Sequence, residues 1–194
     1  MIKLIQRRFE QNLDVVRKSA EVLGQPIADA AEMIIDCYGR DGGVFIFGNG
    51  GSACDAQHIA CELVGRFMSE RKGLKAQALT ADTAILTAVT NDYEFNRIFA
   101  RQLEACARQG DVAIGLSTSG SSANVIAGLE EARNIGMQTI VFTGKGGGRC
   151  KELADVAIDV PCDLTPRIQE VHLIAYHTLC ELVEQAFLNG PAVD

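Results

Sequence analysis

Histidine occurs at three positions, 58, 172 and 177. His58 and Glu62 are four residues apart, so a helix would put both on one face. An imidazole beside a carboxylate can move a proton, or hold a cation with N and O ligands. Towards the C-terminus, Arg167-Ile168-Gln169-Glu170-Val171-His172, followed by His177, is a second polar cluster at a helix start. Glu62 with His177 makes an acid/base pair, and His58, Glu62, Gln169 and His177 make an N/O metal set. Gln169 and His177 lie about 12 Å apart along a continuous helix. One ion takes both if Gln169 precedes the regular helix or if the two side chains converge. Otherwise the ligands come from different subunits.

Two loops could bind an anion. Gly48-Asn49-Gly50-Gly51-Ser52 follows an apolar run, and its glycines allow a sharp turn and close approach of backbone to a ligand. Ser52 is placed to cap the following helix, whose first amides are free. Ser117-Thr118-Ser119-Gly120-Ser121-Ser122 stands at a second strand end, and its hydroxyls plus helix-start amides suit a phosphate without needing net positive charge. Gly48-Asn49-Gly50-Gly51-Ser52-Ala53 also fits a loose dinucleotide fingerprint. That motif wants an acidic residue about 20 positions on, at the end of the second strand. Asp82 comes 34 positions after Gly48, beyond the strand end at Leu79-Thr80, which argues against a dinucleotide. Gly144-Lys145 lacks the upstream glycine of a P-loop.

The elements that must position these groups read as follows. Ile2, Leu4, Ile5, Phe9, Leu13, Val16 and Ala20 make residues 2 to about 22 an amphipathic helix. Gly24-Gln25-Pro26 breaks it, and a second helix covers 27–38 with Ala30, Ala31, Ile34 and Ile35 inward. Asp41-Gly42-Gly43 is a turn. Strands are expected at 44–47, 76–79, 111–117, 138–143 and 156–160. Helices are expected at 52–68, 83–89, 94–107, 122–135 (stopped by Gly136) and 167–187. Apolar strands alternating with helices imply a parallel sheet covered on both faces, with ligands at the carboxyl ends of the strands. Two helices precede the first strand, more than the sheet needs, so the first has an apolar face to pack on another subunit.

The 194 residues suit one domain. Hydrophobic content is 47% and charged content 22%, an ordinary globular composition. A net charge of -7 with no lysine or arginine run argues against a nucleic-acid groove. The N-terminus lacks a secretory h-region, and no apolar run approaches a membrane span. Seven scattered cysteines with no CxxC suit reduced thiols in the cytoplasm, and Cys54 and Cys61 read as small packing residues.

Together GNGGSACDAQHIACELVGRF (48–67), TNDYEFNRIF (90–99), STSGSSANVI (117–126), TGKGGG (143–148) and RIQEVHLIAYH (167–177) resemble the sedoheptulose 7-phosphate isomerases, or phosphoheptose isomerases, of the sugar isomerase (SIS) fold. The resemblance spans nearly the whole chain, in order and in register. It implies a single SIS domain over 1–194, with residues 1–40 as helices for oligomer packing and 41–194 as the α/β core. It implies a three-layer α/β/α sandwich on a five-stranded parallel, flavodoxin-like sheet, and a homotetramer with active sites built from more than one subunit. The activity implied interconverts sedoheptulose 7-phosphate and D-glycero-D-manno-heptose 7-phosphate, towards lipopolysaccharide heptose.

Glu62 and His177 match the family's acid/base pair, and His58, Glu62, Gln169 and His177 match its zinc ligands. Substrate contacts fall on Asn49, Gly50, Gly51, Ser52, Asn91, Asp92, Ser117, Thr118, Ser119, Ser122 and Gln169, with Glu62 at the reacting carbons and Arg66 matching a family arginine. A Glu62 bound tightly to zinc is a poorer base, so the metal is loosely held or the roles shift during turnover. Cys61 stands where an acidic residue is common, and Ser121 where asparagine is common. Non-catalytic relatives share the loops: proteins that bind the bacterial replication initiator, and sugar-phosphate-sensing regulatory domains. The initiator-binding relatives lack equivalents of Glu62 and His177, which this chain has.

Overall fold

A computed structural model describes residues 1–188. Five strands form one parallel sheet in the order β2-β1-β3-β4-β5: β1 (Val44–Gly48), β2 (Ala76–Ala78), β3 (Val112–Ser117), β4 (Gln138–Gly144) and β5 (Val156–Val160). The helices are α1 (Ile2–Val22), α2 (Gly24–Gly39), α3 (Gly51–Val64), α4 (Thr83–Asp92), α5 (Ala100–Cys106), α6 (Ala123–Ile135), α7 (Gly148–Leu153) and α8 (Thr165–Leu188). Among the described residues no helix is long and apolar enough to cross a membrane.

Strands β1 and β3 are buried along their whole length because both faces are covered, whereas the edge strand β2 is only partly buried, with Gln77 exposed. In β1, Val44 and Ile46 face α2, α3 and α8, with α1 lying outside them, while Phe45 and Phe47 face α4 to α7. This is the expected three-layer α/β/α sandwich. The chain leaves β1 in one direction, to β2, and returns past it to β3. That reversal opens a crevice between the β1 and β3 ends, the usual ligand position in such sheets.

Several local expectations differ from the structure. The first helix ends at Val22 and the break falls at Leu23, so α2 starts at Gly24 rather than 27, with Gly24-Gln25-Pro26 as its first turn, where proline's missing N–H is no loss. Helix α3 stops at Val64, short of 68. The buried carboxylate of Glu184 on α8 accepts the Phe67, Met68 and Ser69 amides, each at 2.8 Å, and pulls that segment out of helix. Residues 94–107 divide into a 3-10 turn at Phe95–Arg97 and α5, and buried Ile98 and Phe99 anchor the break. Helix α7 begins within a glycine run that reads as loop. The last six residues of the expected 1–194 domain lie outside the described ones.

Candidate active site at the β1–β3 crevice and the α3–α8 contact

The glycine loop after β1 is held by close contacts. A Cβ on Gly48 would sit 2.9 Å from the carbonyl oxygens of Leu116 and Ser52. Gly50 has φ 57° and is itself the N-cap of α3, so Ser52 does not cap. Ser52 is buried in the first turn, and its N–H bonds the Asn49 carbonyl at 3.0 Å. Asn49 reaches across the crevice to Asn124 of α6, and the two amides exchange hydrogen bonds of 2.7 Å each way. Asn124, which is buried, locks the two loops together, and sequence reasoning missed it. Its signal was a polar residue on the α6 face that otherwise carries Val125, Gly128 and Leu129.

The serine loop turns at Gly120, φ 64°, where any Cβ would strike the Gly147 carbonyl. The Cys150 amide donates to the Gly120 carbonyl at 2.9 Å, so loop 144–148 braces loop 117–122 from behind. Ser117 and Ser122 hydroxyls are 2.9 Å apart, as are those of Ser119 and Ser121. Ser122 is the N-cap of α6, yet no side chain accepts from the first amides of that helix. Those amides and the helix dipole suit a bound anion. Thr118 is half-buried between them.

The proton-carrying groups lie on the other face of the sheet. His58 Nε2 is 3.1 Å from Glu62 Oε1, and the rings of His58 and His177 are 5.0 Å apart, nearly perpendicular. Phe67 packs on His177 at 5.5 Å. Burial and the neighbouring His58 hold His177 below the usual imidazole range, which keeps it neutral and able to accept a proton at neutral pH. His172 belongs to no such cluster: buried, it bonds the Thr143 carbonyl at 3.0 Å, and burial pushes its pKa down to about 4. It ties α8 to β4.

Gln169 does not join the histidines within one chain. It lies inside the continuous helix α8 with its amide against Gly51, where a Cβ would come 2.5 Å from Nε2. His177 is about 12 Å further along the helix. Arg66 is exposed, with partners in its own loop: the Met68 carbonyl at 3.3 Å and Glu70 at 3.8 Å. Asn91 and Asp92 are exposed at the end of α4 and bond to each other at 2.7 Å.

Cys54 and Cys61, expected to be packing residues, are exposed instead, because α3 turns that stripe outward. The Cys61 thiol lies 3.7 Å from Glu62 Oε1, and His58, Cys61 and Glu62 together could hold a metal ion. The donor set fits zinc. A nitrogen of His58, the sulfur of Cys61 and an oxygen of Glu62 lie within 4.8 Å of one another, and the 3.1 Å between His58 Nε2 and Glu62 Oε1 is close to the separation of two ligand atoms on one tetrahedral ion.

Comparison with known proteins agrees over most of the chain. A family model described as SIS domain matches residues 8–144. The chain is 51% identical over 181 residues to a phosphoheptose isomerase of Roseiflexus sp. (strain RS-1), covering 93% of this chain and 92% of that one. The phosphoheptose isomerase structure from Neisseria gonorrhoeae superposes with a TM-score of 0.90 at 39% identity, over 94% of this chain and 98% of that one. The one from Francisella tularensis gives 0.92 at 36%, over 95% and 98%.

Proposed function

The chain belongs to the phosphoheptose isomerases of the SIS fold, and from that premise we propose that it interconverts sedoheptulose 7-phosphate and D-glycero-D-manno-heptose 7-phosphate for lipopolysaccharide heptose synthesis. The observation that carries this is the grouping of His58, Glu62 and His177 on the paired helices α3 and α8, in a chain whose serine loop after β3 is an uncharged anion cradle.

Aldose–ketose isomerisation moves a proton between C1 and C2 through an enediolate. It needs a base at carbon, a proton carrier at oxygen, and stabilisation of the oxyanion. Glu62 takes and returns the carbon-bound proton. His177, held neutral, exchanges the proton at oxygen. Ser117, Thr118, Ser119, Ser122 and the first α6 amides hold the phosphate, and Asn49, Gly50, Gly51 and Ser52 face the sugar. Anchoring the remote phosphate positions the reacting carbons. Zinc held by His58, Glu62, His177 and Gln169 supplies Lewis-acid stabilisation of the oxyanion when bound.

Since Gln169 and His177 of one chain are set apart along α8, a complete site draws on more than one subunit, with Arg66, Asn91 and Asp92 contributed across the boundary. Helix α1 supports this: Ile2, Leu4, Ile5, Phe9 and Leu13 are all exposed. The assembly we propose is a cytoplasmic homotetramer of single-domain chains, with residues 1–40 at its interfaces. Purified protein given sedoheptulose 7-phosphate, with and without zinc, tests the activity, and no turnover in the presence of zinc defeats it. Mass in solution tests the tetramer.

A further inference from the structure

Behind His58 lies a pair of groups that the reaction itself does not use. The Tyr176 hydroxyl is 2.9 Å from His58 Nδ1 and 3.4 Å from Asp55 Oδ1. Tyr176 is 1% exposed, and Asp55 Oδ2 is buried with no hydrogen-bond partner. The phenol has one proton to give. An ionised carboxylate only accepts, and Tyr176 is the donor at hand for Asp55. If the phenol proton goes to Asp55, the phenol oxygen is free to accept Nδ1–H from His58. The reverse arrangement, with the phenol donating to Nδ1, leaves the partly buried Asp55 carboxylate, one of whose oxygens is fully buried, with no protein donor, a costly state.

We propose that Asp55 and Tyr176 are positioning residues: a carboxylate–phenol relay that fixes His58 as its Nδ1–H tautomer and aims the Nε2 lone pair at the ion shared with Glu62. The inference rests on the zinc reading above. The chain of bonds runs one way, from His58 Nδ1–H to Tyr176 O, and from Tyr176 O–H to Asp55. It places a phenol between the imidazole and the carboxylate that usually orients a metal-bound histidine. The 3.1 Å between Nε2 and Glu62 Oε1 then brings together two electron-rich atoms, a contact that a cation between them makes favourable. Helices α3 and α8 are thereby joined at the metal site by polar as well as apolar contacts.

The test is zinc affinity of the metal-free protein, measured by competition with a chromophoric chelator in the absence of substrate. Tyr176→Phe keeps the buried ring and removes the hydroxyl, and is expected to raise the zinc Kd by about 10- to 100-fold. Asp55→Asn keeps one acceptor oxygen and is expected to weaken zinc binding less. In the zinc-loaded protein the proton spectrum should contain an exchange-protected Nδ1–H of His58, which Tyr176→Phe loses. A purely structural role would lower the melting temperature of the metal-free protein and leave Kd and the imidazole proton unmoved. If Tyr176→Phe does not fold, Asp55→Asn and Asp55→Ala carry the same measurement.

Zinc Kd within twofold of the native value in the folded variants overturns the relay, as does a native protein that binds no zinc. Turnover is read separately. A chain that isomerises the sugar phosphate with unchanged zinc affinity in the variants keeps the proposed function and loses the relay. A chain whose zinc affinity falls as expected but which does not turn over keeps the relay and loses the function.

Discussion

The two ends of the candidate site are built by opposite means. The serine loop is local: six consecutive residues, turned at Gly120 and braced by Gly147, present hydroxyls and backbone amides that carry no formal charge. The helix-pair end is distant in sequence, with Tyr176 and His58 bonded across 118 residues. An anion anchor needs only oriented dipoles, which a short rigid loop supplies. Proton transfer needs side chains whose charge state burial has adjusted, and burial requires helices from different parts of the chain to pack.

Glu62 and Glu184 make the same point within one helix contact. The buried Glu184 is satisfied by three backbone amides and Arg71, which together outweigh burial and hold it below the usual carboxylate range. It is structural. Glu62 is half-buried beside His58, so its oxygens face the chemistry.

The sharpest way to break this contrast is at the helix pair. Glu62→Gln and His177→Gln should each lower kcat by about 10²- to 10⁴-fold with KM within a few-fold, measured with zinc present. Retained activity would remove the acid/base assignment while leaving the fold intact. Next comes the loop. Gly120→Ala forces an L side chain into a left-handed backbone and against Gly147, and should cost about 3 kcal/mol in a denaturant titration, with a large rise in KM.

Milder changes sharpen the division. Ser117→Ala or Ser122→Ala should raise KM about fivefold with kcat nearly unchanged, since each removes a hydrogen bond worth about 1 kcal/mol to the anchor. Inhibition by inorganic phosphate should weaken by the same factor. The change expected to touch turnover least concerns His172, which ties α8 to β4 and acts on stability. Its folded pKa of about 4 lies below the ordinary 6.5, so the unfolded chain binds the proton first. Its contribution is fully present above about pH 6.5 and is lost as pH falls to about 4, on the order of 3 kcal/mol across that window. His172→Gln, which can still donate to the Thr143 carbonyl, should flatten that part of the stability curve.

Much of this was legible from residues alone. All five strands were expected to within a residue, most plainly β1 and β3, because a strand covered on both faces has few polar positions to blur it. Both anion loops were visible as glycine and hydroxyl clusters at strand ends. The C-terminal end of α3 was not: Glu184, more than a hundred residues downstream, captures the Phe67 amide. Asn124 was missed because its partner, Asn49, lies 75 residues away, and Tyr176 because its role depends on Asp55 and His58. The outward turn of Cys54 and Cys61 was likewise a matter of which stripe of α3 the sheet covers.

The sequence by itself determined the parallel sheet, the phosphate-sized loops and the residue types able to move a proton, because periodicity and turn chemistry act over a few residues. Only the tertiary structure decided which carboxylate is free and which is tied down. It also set Gln169 at the glycine loop, away from His177, and put Tyr176 and Asp55 behind His58. Those outcomes depend on how α3 and α8 pack, and packing is settled by burial across the whole chain rather than by any local pattern.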